Sequence, residues 1–496
     1  MKIFSAAQIR EIDAKTIEYE PVSSIDLMER AAQSFTDWFL ENHVPTEWSV
    51  TLVCGTGNNG GDGLAVGRLL HGKNYKVCVY LMPGDTLSAD CAENLRRARA
   101  SGVDVRTIAA ADNIPLSDTS VIVDAIFGSG LNRELSGLPA EVVRRINGSG
   151  KTVVSIDVPS GLFLDRKTSL AIQATDTVTF QIPKLALYLP VNHRFVGNVH
   201  IVNIGLNEKA LSEAETRLFF TEKADVRPLL KPLSKFAHKG AQGHALIIGG
   251  SFGKIGSVCL ASRAALKAGC GLVTAFLPGC GVPIIQSHFP EAMAVSDRNE
   301  NHISDILFEV KPHAIAIGMG MGTDEDSQEA FRRFLSTNRV PLVIDADGLN
   351  ILSKNKDWLD MLGPKTILTP HPKELSRLLG EWTDDFDKID RVRKFARKYN
   401  VVLVVKGAYS LVLDAENLFV NSSGTPALAT AGSGDVLSGI IAGLMAQGYE
   451  PIDAARIGVY LHGLTADISS KKIHPRSFVA TDIIEHIGKA YFEIEK

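Results

Sequence analysis

The chain has little that would anchor it outside the cytoplasm. Its six cysteines (Cys54, Cys78, Cys91, Cys259, Cys270, Cys280) are scattered among 496 residues with no C-x-x-C pair. The scatter reads as reduced, mostly buried thiols of a cytosolic protein, and a disulfide framework is not expected in so long a chain with no export signal. No uninterrupted apolar run is long enough to span a bilayer, and Met1 to Phe4 is not followed by a secretory h-region. A basic excess is also absent. Lys and Arg number 52 against 56 Asp and Glu, a net charge of -4, and no Lys/Arg cluster stands out. Nucleic acid and anionic membrane are therefore not expected partners. No G-x-x-x-x-G-K-[ST] occurs and no protein-kinase signature is present, so this is not a P-loop enzyme. What remains is an ordinary soluble composition in a chain too long for one core, which implies two or three domains.

What is present is strand–helix alternation. Ser5 with Gln8 forms a capping-box pattern that opens a helix to about Tyr19, and a second helix runs from Ser24 to about Asn42. The strand 50–54 then leads into Gly55-Thr56-Gly57-Asn58-Asn59-Gly60-Gly61-Asp62-Gly63, with a helix expected from Asp62 to about Gly72. Gly55, Gly57 and Gly60 match G-x-G-x-x-G, but no acid closes the second strand, 76–81, as a dinucleotide fold would require. The loop carries two amides instead. Their carbonyl oxygens can ligate a cation and their N–H groups can hold a polar substrate.

Further strands are expected at 120–125, 152–156, 177–181 and 199–204. Regular alternation means a parallel sheet with helices on both faces, and ligands in such sheets sit beyond the carboxyl ends of the strands. Asn58 and Asn59, Asp124 with the loop 127–134, and Asp157 with Ser160 all fall at such ends. Each alone can be a turn or a cap; together they imply one polar pocket. Oxygen ligands with few carboxylates suit a hard cation of low charge.

This half resembles the NAD(P)H-hydrate epimerase family. The resemblance covers most of residues 1–215 and rests on Leu27 to Ala31, Gly57 to Gly63, Asp157 to Gly161 and Pro183-Lys184. It implies a Rossmann-like, three-layer αβα domain that interconverts the two C6 epimers of hydrated NADH or NADPH. On that resemblance Asn58, Asn59, Gly60, Gly61 and Asp62, together with Gly128, Ser129, Gly130, Leu131, Asn132, Arg133 and Glu134, hold the substrate. Asn59, Asp124 and Ser160 surround K⁺, and Asp157 is the acid/base group.

Residues 208–235 read as a joint, with a polar stretch, a short apolar run at Leu218-Phe219-Phe220, and Pro228 and Pro232. The expected domains are 1–215 and 225–496. The second half restarts the alternation with strands at 244–248, 272–277, 314–317, 342–344, 366–368 and 401–405, each ending in a polar or glycine-rich turn. The stretch Ala429 to Gly439 follows, a small-residue turn running into an apolar helix expected over 436–447. Unpaired N–H groups at a helix start hold an anion, and Gly432 and Gly434 let the backbone approach it. Asp435 stands at the same point, placed either to cap the helix or to take a proton from a hydroxyl that attacks phosphorus.

This half is similar to the ribokinase-like superfamily and, within it, to the ADP/ATP-dependent NAD(P)H-hydrate dehydratases. The matching segments include His238 to Gly240, Gly249 to Ser251, Asp345 to Asn350, Thr369 to Glu374, Lys406-Gly407 and Ala429 to Gly439. The resemblance implies a ribokinase-like αβα domain. Lys406, Gly407, Ala408, Tyr409, Ser410, Thr425, Ala431, Gly432, Ser433 and Gly434 would bind nucleotide. Ser257, Gly320, His371 and Asp435 would face the hydrated cofactor, and Mg²⁺ would accompany ADP or ATP. Where the family commonly has Tyr-Thr-Gly-Ala, this chain has Lys254-Ile255-Gly256-Ser257.

Together the halves imply a fused metabolite-repair enzyme whose partners are small molecules: hydrated NADH or NADPH, and ADP or ATP. A symmetric homo-oligomer is the expected state. The alternative from residue chemistry is a ribokinase-like small-molecule kinase fused to a nucleotide-binding module.

Overall fold

The computed structural model describes residues 1–42 and 48–496. It divides into two compact units, Lys2–Thr216 with Asp384–Phe386, and Arg217–Thr383 with Asp387–Lys496 and Met1. Both are α/β.

Among the described residues the first unit has seven strands: β1 (Ser49–Cys54), β2 (Lys76–Leu81), β3 (Asp104–Thr107), β4 (Val121–Ala125), β5 (Thr152–Ile156), β6 (Asp176–Phe180) and β7 (Asn198–Val202). Their order is β3-β2-β1-β4-β5-β6-β7 and every pairing is parallel. β1, β4 and β5 are buried almost end to end, as near-continuous apolar runs in an all-parallel sheet should be. The chain leaves β1 toward β2 on one side and returns as β4 on the other. That reversal opens a crevice beyond the carboxyl ends of β1 and β4.

Helix Asn58–Gly72 begins four residues earlier than the sequence suggests, so Asn58 and Asn59 lie in its first turn rather than in a loop. The glycine pair that reads as a turn is there for packing. A Cβ on Gly60 would stand 1.9 Å from the carbonyl oxygen of Gly55, and one on Gly61 would press on Met28 Sδ at 2.8 Å. Only glycine lets this helix start so close to the strand it follows.

The second unit carries ten strands. In chain order they are β8 (Leu218–Thr221), β9 (His244–Ile248), β10 (Leu272–Leu277), β11 (Met293–Ser296), β12 (Ala314–Ile317), β13 (Leu342–Ile344), β14 (Thr366–Leu368), β15 (Val402–Val405), β16 (Leu411–Leu413) and β17 (Leu418–Asn421). The order is β11-β10-β9-β12-β13-β14-β15-β16-β17-β8. The sheet is parallel from β11 to β15, then turns through the antiparallel strands β16 and β17. Leu218-Phe219-Phe220, which the sequence places in the joint, is instead an edge strand parallel to β17.

Helix Ser433–Ala446 is buried over nearly its whole circumference. It lies against helix Ile255–Lys267 so closely that a Cβ on Gly439 would meet the carbonyl oxygen of Ala261 at 2.2 Å. The small residues of both helices permit that approach, which seats the N-terminus of the first against the strand-end loops. All six cysteines are free thiols. Among the described residues no helix is long and apolar enough to cross a membrane.

Candidate functional sites

The crevice of the first unit holds a cavity of about 410 Å³. Asn58, Asn59, Asp62, Gly128 to Arg133 and Asp157 line it, all of them residues singled out from sequence. Gly60, Gly61 and Glu134 do not. The two glycines are buried in helix packing, and Glu134 accepts a hydrogen bond from Ser169 at 3.2 Å. The cavity adds Arg10, Asp13 and Lys184, to which the sequence reading gave no role.

Asp157 follows β5 directly and has φ 66°, left-handed backbone that is unfavourable for a side-chain-bearing residue. Its Oδ1 accepts from Lys184 Nζ at 2.6 Å, Thr179 Oγ1 at 3.3 Å and the Phe180 amide at 3.4 Å. The Lys184 side chain is only 2% exposed, so the pair is screened from water on the lysine side. Asp62 is pushed well above the ordinary carboxylate range by burial, with Asp157 and Asp13 adding repulsion.

Asp124 and Ser160 lie beneath the cavity floor, both fully buried. Asp124 Oδ2 accepts from Ser155 Oγ and from the Ser160 amide, each at 2.8 Å, and Oδ1 accepts from the Ile126 amide at 3.3 Å. Ser160 Oγ accepts from the Phe127 amide at 2.8 Å and donates to the Phe127 carbonyl at 3.1 Å. Burial raises the Asp124 carboxyl, and only neutral donors oppose the rise. Asn59 has a buried amide nitrogen with no partner. A buried carboxylate met only by neutral donors keeps an uncompensated charge, which fits a hard cation of low charge. Among the described residues no cluster of three His, Cys, Asp or Glu offers a transition-metal site.

In the second unit the loops after β13, β14 and β15 meet the start of helix Ser433–Ala446. Asp345 is buried; its Oδ1 accepts from Lys406 Nζ at 2.8 Å and its Oδ2 from Ser438 Oγ at 2.6 Å. Gly432 caps the helix at φ 83°, a left-handed conformation suited to glycine. A Cβ on Gly434 would stand 3.3 Å from Lys406 Nζ, so the lysine crosses directly over the glycine turn. Asp435 bonds to the Ser257 side chain. Burial, then repulsion from Asp345, lift its carboxyl to about 6, against the Ser257 bond and Lys406.

His371 caps helix Pro372–Leu379; its Nδ1 accepts from the Lys373 amide at 3.1 Å. Burial and nearby Lys406 lower its imidazole. Glu374, absent from the sequence-based set, is buried and accepts from the His371 amide at 2.8 Å. Burial lifts it to about 7, against the pull of Lys406. The capping-box spacing His371 to Glu374 was the available signal.

Beside this centre lies a cavity of about 740 Å³, lined by His371, Lys406 to Ser410, Thr425, Ser433 and Gly434. The loop Asn421 to Gly424, Leu437 and His462 also line it. Ala431 and Gly432 do not reach its wall. Ser257, Gly320 and Asp435 stand outside it as a separate cluster. There a Cβ on Gly320 would lie 3.3 Å from Ser257 Cβ. The strand-end loops thus bring an anion-holding helix start, a lysine and a half-buried carboxylate to one place.

Comparison with known proteins gives two family matches. Residues 245–489 match the model described as NAD(P)H-hydrate dehydratase, and residues 24–186 the one described as YjeF-related protein N-terminus. A bifunctional NAD(P)H-hydrate repair enzyme from Moorella thermoacetica is 34% identical over 100% of this chain and 98% of its own length. One of the same description from Coxiella burnetii is 34% identical over 98% of each chain. A solved ADP/ATP-dependent NAD(P)H-hydrate dehydratase from Bacillus subtilis, crystallised with ATP and Mg²⁺, is 26% identical. It covers 57% of this chain and 100% of its own, with a TM-score of 0.49.

Proposed function

The chain belongs to the bifunctional NAD(P)H-hydrate repair enzymes, and from that premise we propose how its two units divide the work. The first unit epimerises the R and S hydrates of NADH and NADPH at C6. The second dehydrates the S hydrate at the expense of ADP, giving AMP and phosphate. The observation that carries this reading is Asp435. It is a half-buried carboxylate at the open end of a helix, hydrogen-bonded to Ser257 and close to Lys406 and Asp345.

In the second unit Asp435 takes the proton of the C6 hydroxyl as that oxygen attacks the terminal phosphoryl group. The N–H groups of Gly432 to Gly434 and the Lys406 ammonium take the developing charge. AMP leaves, and the ring nitrogen then expels the phosphorylated oxygen as phosphate. Loss of a C5 proton restores the C5–C6 double bond of NAD(P)H. The nucleotide occupies the cavity lined by Lys406 to Ser410 and Thr425. Ser257, Gly320 and His371 face the hydrate. No group of three acidic or imidazole side chains is placed to hold a metal ion among the described residues, so a hard divalent ion would arrive with the phosphates, where Asp345 and Glu374 are the neighbouring carboxylates. Such an ion neutralises phosphoryl charge when bound.

In the first unit Asn58, Asn59, Asp62 and the loop Gly128 to Arg133 hold the hydrate, with Asp157 at the reacting carbon. Asn59, Asp124 and Ser160 would hold K⁺, which would supply a fixed positive charge to the site. Both sites serve a cytoplasmic repair enzyme, assembled as a homo-oligomer.

The test follows the reduced-nicotinamide absorbance. Purified protein is mixed with both epimers of NADPH hydrate, Mg²⁺, K⁺, and either ADP or ATP. Recovery of the whole mixture, faster with ADP, is the expected result. A stable phosphorylated product with no recovered NADPH would overturn the reading in favour of a kinase.

A further inference from the structure

Asp13 faces the same cavity as Asp157 and has no part in the chemistry above. Helix Ala6–Tyr19 starts on a complete capping box between Ser5 and Gln8, which fixes where its residues point. Ile9 and Arg10 lie four and three residues before Asp13, so the three share one helix face, and all three line the cavity. Ile12, one position round, is buried on the other side.

The two carboxyl groups have opposite surroundings. Asp157 is held by the Lys184 ammonium at 2.6 Å, the Thr179 hydroxyl and the Phe180 amide. Among the described residues no protein donor bonds to Asp13. Burial, then the charge of Asp157, push Asp13 up to about 6, with Lys184 opposing. The other charged groups on the cavity wall are Arg10, Asp62 and Arg133. Asp62 is itself raised and adds no cation beside Asp13. One carboxylate thus has a cation and two neutral donors bonded to it, and its neighbour on the same cavity wall has none. Two carboxyl groups in such different surroundings suit the paired roles of base and acid.

We propose that Asp13 is the second proton-transfer residue of the first unit's cavity, acting with Asp157 on the two ends of the C6 hemiaminal. This rests on reading that unit as the epimerase. Asp157 accepts the proton of the C6 hydroxyl while Asp13 donates its proton to the ring nitrogen N1. The C6–N1 bond breaks and C6 becomes an aldehyde carbon. Rotation about C5–C6 turns its other face toward N1. N1 then attacks that face and returns its proton to Asp13, while Asp157 reprotonates the oxygen. One O–H, one N–H and one C–N bond are exchanged and restored. No oxidant, reductant or net proton is needed, and the configuration at C6 is inverted.

The experiment compares the intact chain with its Asp13→Asn and Asp13→Glu variants. R-hydrate epimerisation is measured from pH 5 to 8, thermal unfolding of the first unit on the same samples reports its folding, and S-hydrate dehydration is the control for the second unit. The expected result for Asp13→Asn is a loss of roughly 10²–10⁴-fold in epimerisation with dehydration unchanged. The falling limb of the epimerisation profile, where Asp13 loses its proton, should vanish with it. Asp13→Glu should recover part of the rate. If Asp13→Asn does not fold, the Glu variant decides: a shifted falling limb supports the proposal and an unmoved one overturns it. Full epimerisation by Asp13→Asn with an unaltered profile also overturns it, while the epimerase reading stands. A parent chain that dehydrates S hydrate but never converts R hydrate overturns both.

Discussion

Lys406 donates a 2.8 Å hydrogen bond from Nζ to Oδ1 of Asp345, bridging the ends of β15 and β13 across the end of β14 between them. The other oxygen of Asp345 is held by Ser438 on helix Ser433–Ala446. One buried carboxylate therefore fixes the lysine over the glycine turn and the helix under it.

Removing the lysine should expose the cost of that arrangement. Lys406→Met leaves the Asp345 carboxylate, only 2% exposed, without its cation. Breaking a buried pair from one side costs about 3–5 kcal/mol. Urea unfolding of the second unit should shift by that amount, and nucleotide affinity should fall. A shift below about 1 kcal/mol would mean that the carboxylate is solvated by another route.

Dehydration should follow the ionisation of Asp435. Its carboxyl lies at about 6, above the ordinary 3.8, so the base form disappears as pH falls through 6. The rate should drop about tenfold per pH unit below that point and level off above it. Because the folded value is raised, this group favours folding most below 3.8 and loses that contribution as pH rises through 6. Asp435→Asn should abolish the acid limb and remove roughly 10²–10⁴-fold of the rate. Near-full activity in that variant would disprove the assigned base.

Gly60 should behave as a packing residue. Gly60→Ala places a methyl group 1.9 Å from the Gly55 carbonyl oxygen, which neither backbone can relieve without moving. A loss of about 1–3 kcal/mol is expected in thermal unfolding of the first unit. Gly57, with nothing within 4 Å of a built Cβ, should accept alanine far better. Equal effects at the two positions would show that the close approach does not set the helix start.

The first unit should respond to K⁺. Asp124 is buried among neutral donors only. A bound cation there should raise epimerisation as K⁺ is titrated in. Asp124→Asn keeps the shape but removes the charge, and should weaken the K⁺ response about tenfold or more. Epimerisation by the parent chain that ignores K⁺ throughout would rule the site out.

Much of the architecture was legible because glycine turns and short apolar runs have few readings. The run 152–156 became β5 over the same residues, and the strands ending in Asp345 and Lys406 fall where their apolar stretches do. The edge strands β3, β8 and β11 have only four residues each, too few for the sequence to mark as strands. At an edge one side needs no partner, so the sequence is under less constraint. The hairpin β16–β17, which turns the chain toward the nucleotide cavity wall, also passed unread. Glycine pairs signal turns, so the sequence puts Asn58 and Asn59 in a loop, whereas Gly60 and Gly61 serve a close helix contact.

The sequence by itself determined the alternation, the glycine–aspartate turn before the buried helix and the amide-rich motif after β1, since each depends on local backbone demands. Only the tertiary structure decided which side chains face one another. Asp13 looks like any polar residue of an amphipathic helix until the fold sets it beside Asp157 and Lys184. Glu374 is a helix-capping residue until burial lifts its carboxyl next to Lys406. Proton affinity is a property of the space around a group, and that space is enclosed by segments distant in the chain.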